Sequence, residues 1–221
     1  MPILRHPLRG VVTCAGVGRG KAAIDFEASE FRRTLDVNIM GTFLVAQAAA
    51  REMSKRSLGG SLVLVASMGG SVSLKVSIHW EEEFAGSRSL IYFEQGLDLA
   101  DYESSKAAVL GLGRSLASEW GSRPGLPLIR VNTLSPGYIR TAMTSPVLDA
   151  DSEKEGMWAD QAMVNRISSA DEYRAPTVFL LGDGSGFMTG ADLKVDGGFY
   201  GMVSSTRGGN TCNSEHDACF S

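Results

Sequence analysis

Short apolar runs that alternate with amphipathic helical stretches are the feature that most constrains how this chain folds. The runs of strand length are 10–15 (GVVTCA), 61–67 (SLVLVAS), 129–134 (IRVNTL) and 192–195 (DLKV). The stretches between them carry apolar residues at a helical period. Strands that are joined through helices predict βαβ units and a doubly wound parallel α/β sheet with helices on both faces.

Three of the connecting stretches are predicted to be helices. They are Ala28–Lys55, Asp101–Trp120 and Ala170–Leu181. The last follows Ser-Ser-Ala-Asp, which is typical of a helix N-terminus. In a sheet of this kind, ligands bind at the carboxyl ends of the strands. We therefore expect functional side chains directly after the apolar runs.

Composition narrows the possible functions of the 221-residue chain. Its net charge is −4, which leaves no basic excess to hold a phosphate backbone and argues against nucleic-acid binding. No apolar run approaches the roughly 20 residues of a membrane helix. Three cysteines without metal-binding spacing predict a reducing, cytoplasmic compartment and no disulfide framework. The cysteines and the three scattered histidines, which predict no metal site, are Cys14, Cys212, Cys219, His6, His79 and His216.

Tyr102 and Lys106 form a Tyr-x-x-x-Lys pair at the start of a predicted helix. Residues four apart share a helix face, so the ammonium of Lys106 can stabilise the Tyr102 phenolate and lower a pKa that is ordinarily about 10. A phenol tuned in this way can exchange a proton with a carbonyl or an alcohol. The alternative is a chance pair, with a solvated lysine beside a half-buried tyrosine.

Polar residues near the predicted strand ends extend this set. Ser67 ends its strand, where the hydroxyl can face a substrate or can simply cap the strand end. Asn38 lies among apolar neighbours and needs a partner, which can be a functional water or a backbone group. Pro136–Gly137 makes a turn that leads to Ile139 and Thr141, and Thr141 can bind a ligand or cap the next helix.

Taken in order along the chain, these residues resemble the short-chain dehydrogenase/reductase family. The resemblance covers about Pro7 to Phe199, and the stretches IRVNTLSPGYIRTAMT and FMTGADLKVDGG are most similar to fungal polyol and sugar reductases acting on arabinitol, mannitol and sorbose or xylulose. The matching motifs are Cys14-Ala15-Gly16, Asn38, Ser67, Tyr102-x-x-x-Lys106, Ser135-Pro136-Gly137, Thr141 and Asp196-Gly197-Gly198.

The resemblance implies an NADP-dependent, or NAD-dependent, oxidoreductase of fungal metabolism that interconverts a ketone or sugar carbonyl and a secondary alcohol. Tyr102 would be the catalytic acid/base, and Lys106 would lower its pKa and bind the nicotinamide ribose. Ser67 would orient the small-molecule carbonyl or alcohol substrate, and Asn38 would hold a water in a proton relay to Lys106. The intact family forms homo-oligomers. The implied cofactor-binding residues are Ala15, Gly16, Asn38, Tyr102, Lys106, Pro136, Gly137, Ile139 and Thr141, with Ile139 and Thr141 at the nicotinamide end.

Two departures from the family pattern concern the cofactor. The family's Thr-Gly-x-x-x-Gly-x-Gly turn, which cradles a pyrophosphate at a helix N-terminus, has no match here. Gly16–Gly20 follows the wrong strand and is predicted to be a loop. The resemblance thus implies a partial Rossmann-type sheet that lacks its first strands and its Gly-rich loop. Cys14 also stands where the family usually has Asn, and a thiol is a poor substitute for an amide.

A third departure is the distance between Ser67 and Tyr102, which exceeds the family's spacing and predicts an insertion at 76–95. The predicted organisation is one incomplete domain over 1–200, with a substrate lid at 142–166, followed by a disordered tail over 201–221. Two alternatives to an active enzyme remain open. The missing fingerprint favours a non-catalytic relic or interaction module without cofactor, and 76–95 and the tail can be artefacts of an imperfect gene model.

Overall fold

A parallel sheet forms the centre of the computed structural model, which describes residues 6–74, 98–151 and 153–201. The strands are β1 (Gly10–Thr13), β2 (Gly60–Val65), β3 (Ile129–Pro136), β4 (Ile139–Arg140), β5 (Ser168–Ser169) and β6 (Asp192–Val195). The main sheet has the order β1-β2-β3-β6, and all of its pairs are parallel. Strands β4 and β5 make a second, two-stranded parallel sheet. The predicted parallel α/β architecture is confirmed.

Helices connect these strands. They are α1 (Ala28–Leu35), α2 (Thr42–Lys55), α3 (Ala100–Gly121), α4 (Ser145–Ala150), α5 (Glu153–Asp160) and α6 (Arg174–Leu181). The helix predicted over Ala28–Lys55 is interrupted by a π-helical segment at Asp36–Gly41. The helix predicted to start at Ala170 begins as a 3₁₀ turn, Ala170–Tyr173, with a capping box between Ser169 and Glu172.

Two apolar clusters cover the two faces of the sheet. Along β2, Leu62 and Leu64 face a core made with α2 and α3, whereas Val63 faces a second core with Leu180 of α6. All four side chains are fully buried. Such a strand, buried on both faces, reads as a continuous apolar run because parallel sheets are covered on both sides.

Buried Arg130 ties the start of β3 to the segment around α6. Its guanidinium donates hydrogen bonds to the backbone oxygens of Leu180, Gly182 and Met188 and to the hydroxyl of Ser185, at 3.0 to 3.1 Å. Burial lowers the pKa of Arg130, and nearby Asp183 opposes that effect. These bonds fix the C-terminal end of α6 beside the start of β3.

Some predictions fall outside the described residues. These are the insertion at 76–95 and every residue of the predicted tail except Gly201. Within the described ranges, no helix combines the length and the apolar character that a membrane crossing requires.

Candidate active site

The carboxyl ends of β1, β2 and β3 bring most of the predicted site residues to one cavity of about 440 Å³, here called the lysine pocket. Ser67 follows β2, and Tyr102 and Lys106 come from the first two turns of α3. Ala15 and Asn38 do not line the cavity. The predicted residues that line it are Gly16, Ser67, Tyr102, Lys106, Pro136, Gly137, Ile139 and Thr141.

Lys106 places a buried amine at the base of this pocket. Its side chain is 4% exposed, and Nζ donates a hydrogen bond to the backbone oxygen of Val65 at 2.9 Å. Burial lowers the pKa of Lys106 to about 8, and a weaker electrostatic contribution from Cys14 acts in the opposite direction. The amine therefore changes its charge in the range where many enzymes work.

Tyr102 lies next to this amine, with Lys106 Nζ 5.5 Å from the centre of its ring. Burial raises the pKa of the Tyr102 phenol above its ordinary value, and hydrogen bonding with Ser67 opposes the increase. The expected lowering by Lys106 is wrong for this arrangement, because the cost of placing a phenolate in a buried site outweighs the other effects. Tyr102 is held in its neutral, proton-donating form.

Ser67 has a structural contact as well as its place in the pocket. Its hydroxyl accepts a hydrogen bond from the Gly69 backbone N–H at 3.2 Å and caps the 3₁₀ turn Met68–Gly70. The turn packs closely on α3, since a Cβ on Gly70 would lie 2.7 Å from the carbonyl carbon of Lys106. Ser67 therefore caps the turn that follows β2, and this contact fixes the hydroxyl beside Tyr102. The role of the hydroxyl towards a substrate stays a prediction.

Asn38 is the buried residue of the π-helical segment and is 1% exposed. Its Oδ1 accepts a hydrogen bond from the Val17 N–H, and its Nδ2 donates to the Val17 oxygen and to Ser105 Oγ, each at 2.8 Å. The predicted need for a partner is met by the backbone of another segment. Asn38 thus joins the loop after β1 to α3.

That loop, Gly16–Gly20, has no regular secondary structure, as predicted, and covers Tyr102. A Cβ added to Gly18 would lie 2.8 Å from Tyr102 Cδ2, so only glycine permits this approach. A Cβ on Gly16 would lie 3.4 Å from Lys106 Nζ. Gly16 and Gly18 thus allow the loop backbone to pack closely against Lys106 and Tyr102.

Thr141 closes a turn between β4 and α4. Its hydroxyl accepts a hydrogen bond from the Met143 N–H at 3.3 Å, and its own N–H donates to Thr144 Oγ1 at 2.9 Å. Thr144 Oγ1 in turn donates to the Ile139 oxygen at 2.6 Å. Thr141 therefore stabilises the turn that precedes α4, and the N-cap of α4 is Thr144.

A second cavity, here called the aromatic pocket, adjoins the lysine pocket, is also lined by Ser67 and Tyr102, and has a volume of about 250 Å³. The rings of Tyr138 and Trp158 stack beside it, 4.6 Å apart and inclined by 13°. Phe199 meets Tyr138 edge-on at 5.8 Å. The sequence motifs did not predict this cavity. The signals that could have indicated it are Tyr138 directly after Pro-Gly and Trp158 within the predicted lid. Its main apolar lining residues are Met68, Leu74, Leu99, Ile139, Met143, Val147 and Trp158.

The lysine pocket has the donors for one end of a dinucleotide. Gly16 leaves room beside a cationic amine, and Ile139 and Thr141 border the same space, which suits a nicotinamide riboside. Among the described residues, no group of three His, Cys, Asp or Glu side chains can hold a metal ion.

Comparison with known proteins gives consistent matches. Residues 4–80 match a family model described as short chain dehydrogenase, and residues 93–200 match one described as Enoyl-(Acyl carrier protein) reductase. The chain is 52% identical, over 90% of its length, to Short chain dehydrogenases/reductase notP' of Aspergillus versicolor. It is 31% identical, over 86% of its length, to D-arabinitol 2-dehydrogenase [ribulose-forming] of Candida tropicalis.

The chain spans 61% and 59% of the length of these two relatives. A solved structure, a gluconate 5-dehydrogenase from Burkholderia cenocepacia J2315 in complex with NADP and tartrate, superposes with a TM-score of 0.71 at 26% identity. That match covers 87% of this chain and 65% of the other. The resemblance to fungal sugar-alcohol enzymes is confirmed by the Candida match.

Proposed function

This chain belongs to the short-chain dehydrogenase/reductase family, and from that premise we propose that it is an NAD(P)(H)-dependent oxidoreductase interconverting a carbonyl and a secondary alcohol. The observation that carries the proposal is the convergence of Ser67, Tyr102 and Lys106 on the lysine pocket. A hydroxyl, a phenol and a buried amine from two separate segments meet where parallel sheets bind ligands. Such a set can polarise and protonate one oxygen.

Tyr102 is proposed to give its phenolic proton to the carbonyl oxygen during reduction and to take it back in the reverse direction. Its raised pKa keeps the phenol protonated at neutral pH, which favours the donating role. Ser67 would donate a second hydrogen bond to the same oxygen, because its hydroxyl is fixed beside Tyr102 by the Gly69 contact. Two donors at one oxygen stabilise the negative charge that develops there.

The nicotinamide end of NADP, or of NAD, is proposed to lie in the lysine pocket beside Gly16, Lys106, Ile139 and Thr141. The reduced cofactor would supply the hydride when bound. The ammonium of Lys106 would bind a ribose hydroxyl and favour the anionic cofactor. Ala15 and the Pro136–Gly137 turn would border this site. NADP is proposed first because the Burkholderia structure is in complex with it.

Asn38 is proposed to act as a positioning residue. Its amide is hydrogen-bonded to Val17 and Ser105, so its side chain holds the loop Gly16–Gly20, here called the glycine loop, over Tyr102. One lone pair of Oδ1 remains for a further partner. The water relay to Lys106 stays a prediction.

The organisation of the chain is proposed as one domain over 1–200, in which α4 and α5 form the substrate lid within 142–166. The lid connects to the site through Thr144, whose hydroxyl donates to the Ile139 oxygen. Ketones and sugars are the proposed substrate class. A cytoplasmic location and assembly into a homo-oligomer, as in the intact family, are proposed with it.

Binding of NADPH and NADH to the 221-residue protein, followed by nicotinamide fluorescence, tests the proposal. Saturable binding, with carbonyl turnover that Tyr102→Phe abolishes, is the expected result. Circular dichroism identifies folded samples. Folded protein that binds neither cofactor would contradict the proposal and support the alternative of a non-catalytic interaction module.

A further inference from the structure

The aromatic pocket differs in chemistry from what a sugar-alcohol site requires. Among the described residues that line it, none carries a charged side chain. Its apolar side chains come from two parts of the chain. Met143, Val147 and Trp158 belong to the region of α4 and α5, and Leu74 and Leu99 precede α3. A ligand in this cavity therefore exchanges water for apolar side chains over most of its surface.

The polar groups of the pocket are engaged in contacts within the protein. Thr144 Oγ1 donates to the Ile139 oxygen at 2.6 Å and accepts from the Thr141 N–H. The Thr141 hydroxyl accepts from the Met143 N–H. The Tyr138 hydroxyl donates to Gln161 Oε1 at 3.2 Å, which directs it towards the protein. Ser67 and Tyr102, which hydrogen-bond with each other, are the side chains placed to bind a ligand, and together they serve one oxygen.

A polyol would meet a large penalty in such a cavity. Each buried hydroxyl that lacks a partner costs about 1–3 kcal/mol, and a sugar chain brings several hydroxyls besides the reacting one. Specific sugar sites supply a hydrogen-bonding group for each hydroxyl that they recognise, and a site without such groups discriminates against polyols.

The aromatic wall suits a flat or compact ring system instead. Trp158 is only 6% exposed and stacks on Tyr138, which Phe199 supports edge-on, so the wall is rigid. Met143, which lines the pocket and is 49% exposed, is a flexible and polarizable side chain that can adapt to different ring shapes. Aromatic surfaces of this kind bind apolar rings through stacked or edge-on contacts.

We infer that the substrate of this site is a ring-bearing apolar ketone, or the corresponding secondary alcohol, whose carbonyl oxygen is directed at Ser67 and Tyr102 and whose ring occupies the aromatic pocket. The inference rests on the function proposed above and narrows its substrate class. It separates this chain from the Candida tropicalis relative, whose name specifies arabinitol as the substrate.

Equilibrium binding measured by calorimetry tests the inference without turnover. The probes are 2-tetralone, a ketone with two fused rings, and D-arabinitol, each titrated into the full chain in the presence of NADPH and in its absence. Val147→Asp places a carboxylate in the aromatic pocket at the first turn of α4, where helices tolerate acidic residues. Val178→Asp, at an exposed position of α6, is the matched control.

The expected result is that 2-tetralone binds, that D-arabinitol does not compete, and that Val147→Asp weakens 2-tetralone binding by about tenfold or more. Val178→Asp should leave the affinity unchanged, and thermal melts should show both variants folded. Arabinitol binding as tight as 2-tetralone binding, absence of 2-tetralone binding to folded protein, or equal affinities in the Val147→Asp and unmodified proteins would each overturn the inference.

Turnover separates the inference from the proposed function. If arabinitol is oxidised in a Tyr102-dependent manner with NADP while 2-tetralone does not bind, the proposed function stands and the substrate class is wrong. If 2-tetralone binds and responds to Val147→Asp but no Tyr102-dependent turnover occurs with either probe, the ligand class stands and the oxidoreductase proposal fails.

Discussion

The lysine pocket and the aromatic pocket adjoin, and their remaining walls are built in different ways. The lining residues that they share are Ser67, Tyr102, Gly137, Ile139, Thr141 and Met143. The lysine pocket is lined by residues at the ends of adjacent parallel strands, together with Lys106 four positions after Tyr102. The aromatic pocket is assembled from segments far apart in the chain, such as Leu74 and Trp158. Chemistry in this fold is thus encoded by short local motifs, whereas ligand shape is encoded by tertiary packing.

The largest expected effect is a loss of kcat when Tyr102, which lines both pockets, is substituted. Tyr102→Phe removes the proposed proton donor and should reduce kcat by about 10³-fold, within the range of positioned acid–base catalysis. Binding of 2-tetralone should change by no more than about twofold, because the ring of Tyr102 remains in place. Steady-state kinetics and calorimetry measure the two quantities.

Tyr200→Phe is the control for this experiment, because Tyr200 lines neither pocket. It should retain full kcat. If Tyr102→Phe kept more than a tenth of the activity, another group would be the proton donor.

The second-largest expected effect is a loss of kcat in Ser67→Ala, which tests whether the Ser67 hydroxyl takes part in catalysis or only caps the turn. Ser67→Ala removes one of two proposed donors to the substrate oxygen and should lower kcat by about 10²-fold. It also removes the cap on Gly69, which should cost about 1 kcal/mol of unfolding free energy. Ser67→Thr keeps the hydroxyl and should recover most of both losses.

Ser71→Ala, at an exposed position of the same segment, controls for general disturbance of the turn. A Ser67→Ala protein with normal kcat but reduced stability would show that the hydroxyl is a structural cap alone.

The fold was largely predictable because its signals are local. The apolar runs predicted β1, β2, β3 and β6 within three residues at each end. The π-helical segment Asp36–Gly41 could not be predicted from the sequence. In this segment Asn38 hydrogen-bonds with the backbone of Val17, and no pattern of neighbouring residues indicates a partner so far away in the chain. Helix propensity is a local preference of each residue and carries no information on such tertiary contacts.

The site divides in the same way. Ser67 and the Tyr102–Lys106 pair could be found from strand ends and helical spacing. The direction of the Tyr102 pKa shift could not be found in this way. It depends on burial of the ring, and no local pattern predicts that the loop Gly16–Gly20 lies over Tyr102. The pairing of Tyr138 with Trp158 also needs the fold, since the two residues come from segments joined only by packing.

Asn38→Ala should have a smaller effect that is felt mainly in the lysine pocket. The variant loses the three hydrogen bonds of the Asn38 amide and leaves the Val17 backbone groups without that partner. This loss should lower the unfolding free energy by about 2 kcal/mol. Urea denaturation measures the change. Because the loop over Tyr102 loosens, cofactor affinity should fall more than 2-tetralone affinity.

Asp36→Ala is the matched control, since Asp36 is exposed in the same π-helical segment. It should change the unfolding free energy by less than about 0.5 kcal/mol. Equal losses in the two variants would show that the segment tolerates no substitution and that Asn38 has no special part in holding the loop.

The smallest expected effect is a difference between the two pockets in how ligand affinity depends on pH. Burial lowers the pKa of Lys106 to about 8, so the ammonium is present below that pH and is lost as pH rises through it. If the charge holds the anionic cofactor, NADPH affinity should fall about tenfold between pH 7 and pH 9, in proportion to the charged fraction. Binding of neutral 2-tetralone to the cofactor-free protein should stay constant over the same range.

Lys106→Met should abolish the pH dependence of NADPH binding, whereas Lys55→Met, at an exposed position, should preserve it. A decline in NADPH affinity that persists in Lys106→Met would assign the titration to another group and leave the lysine pocket without its proposed cationic contact.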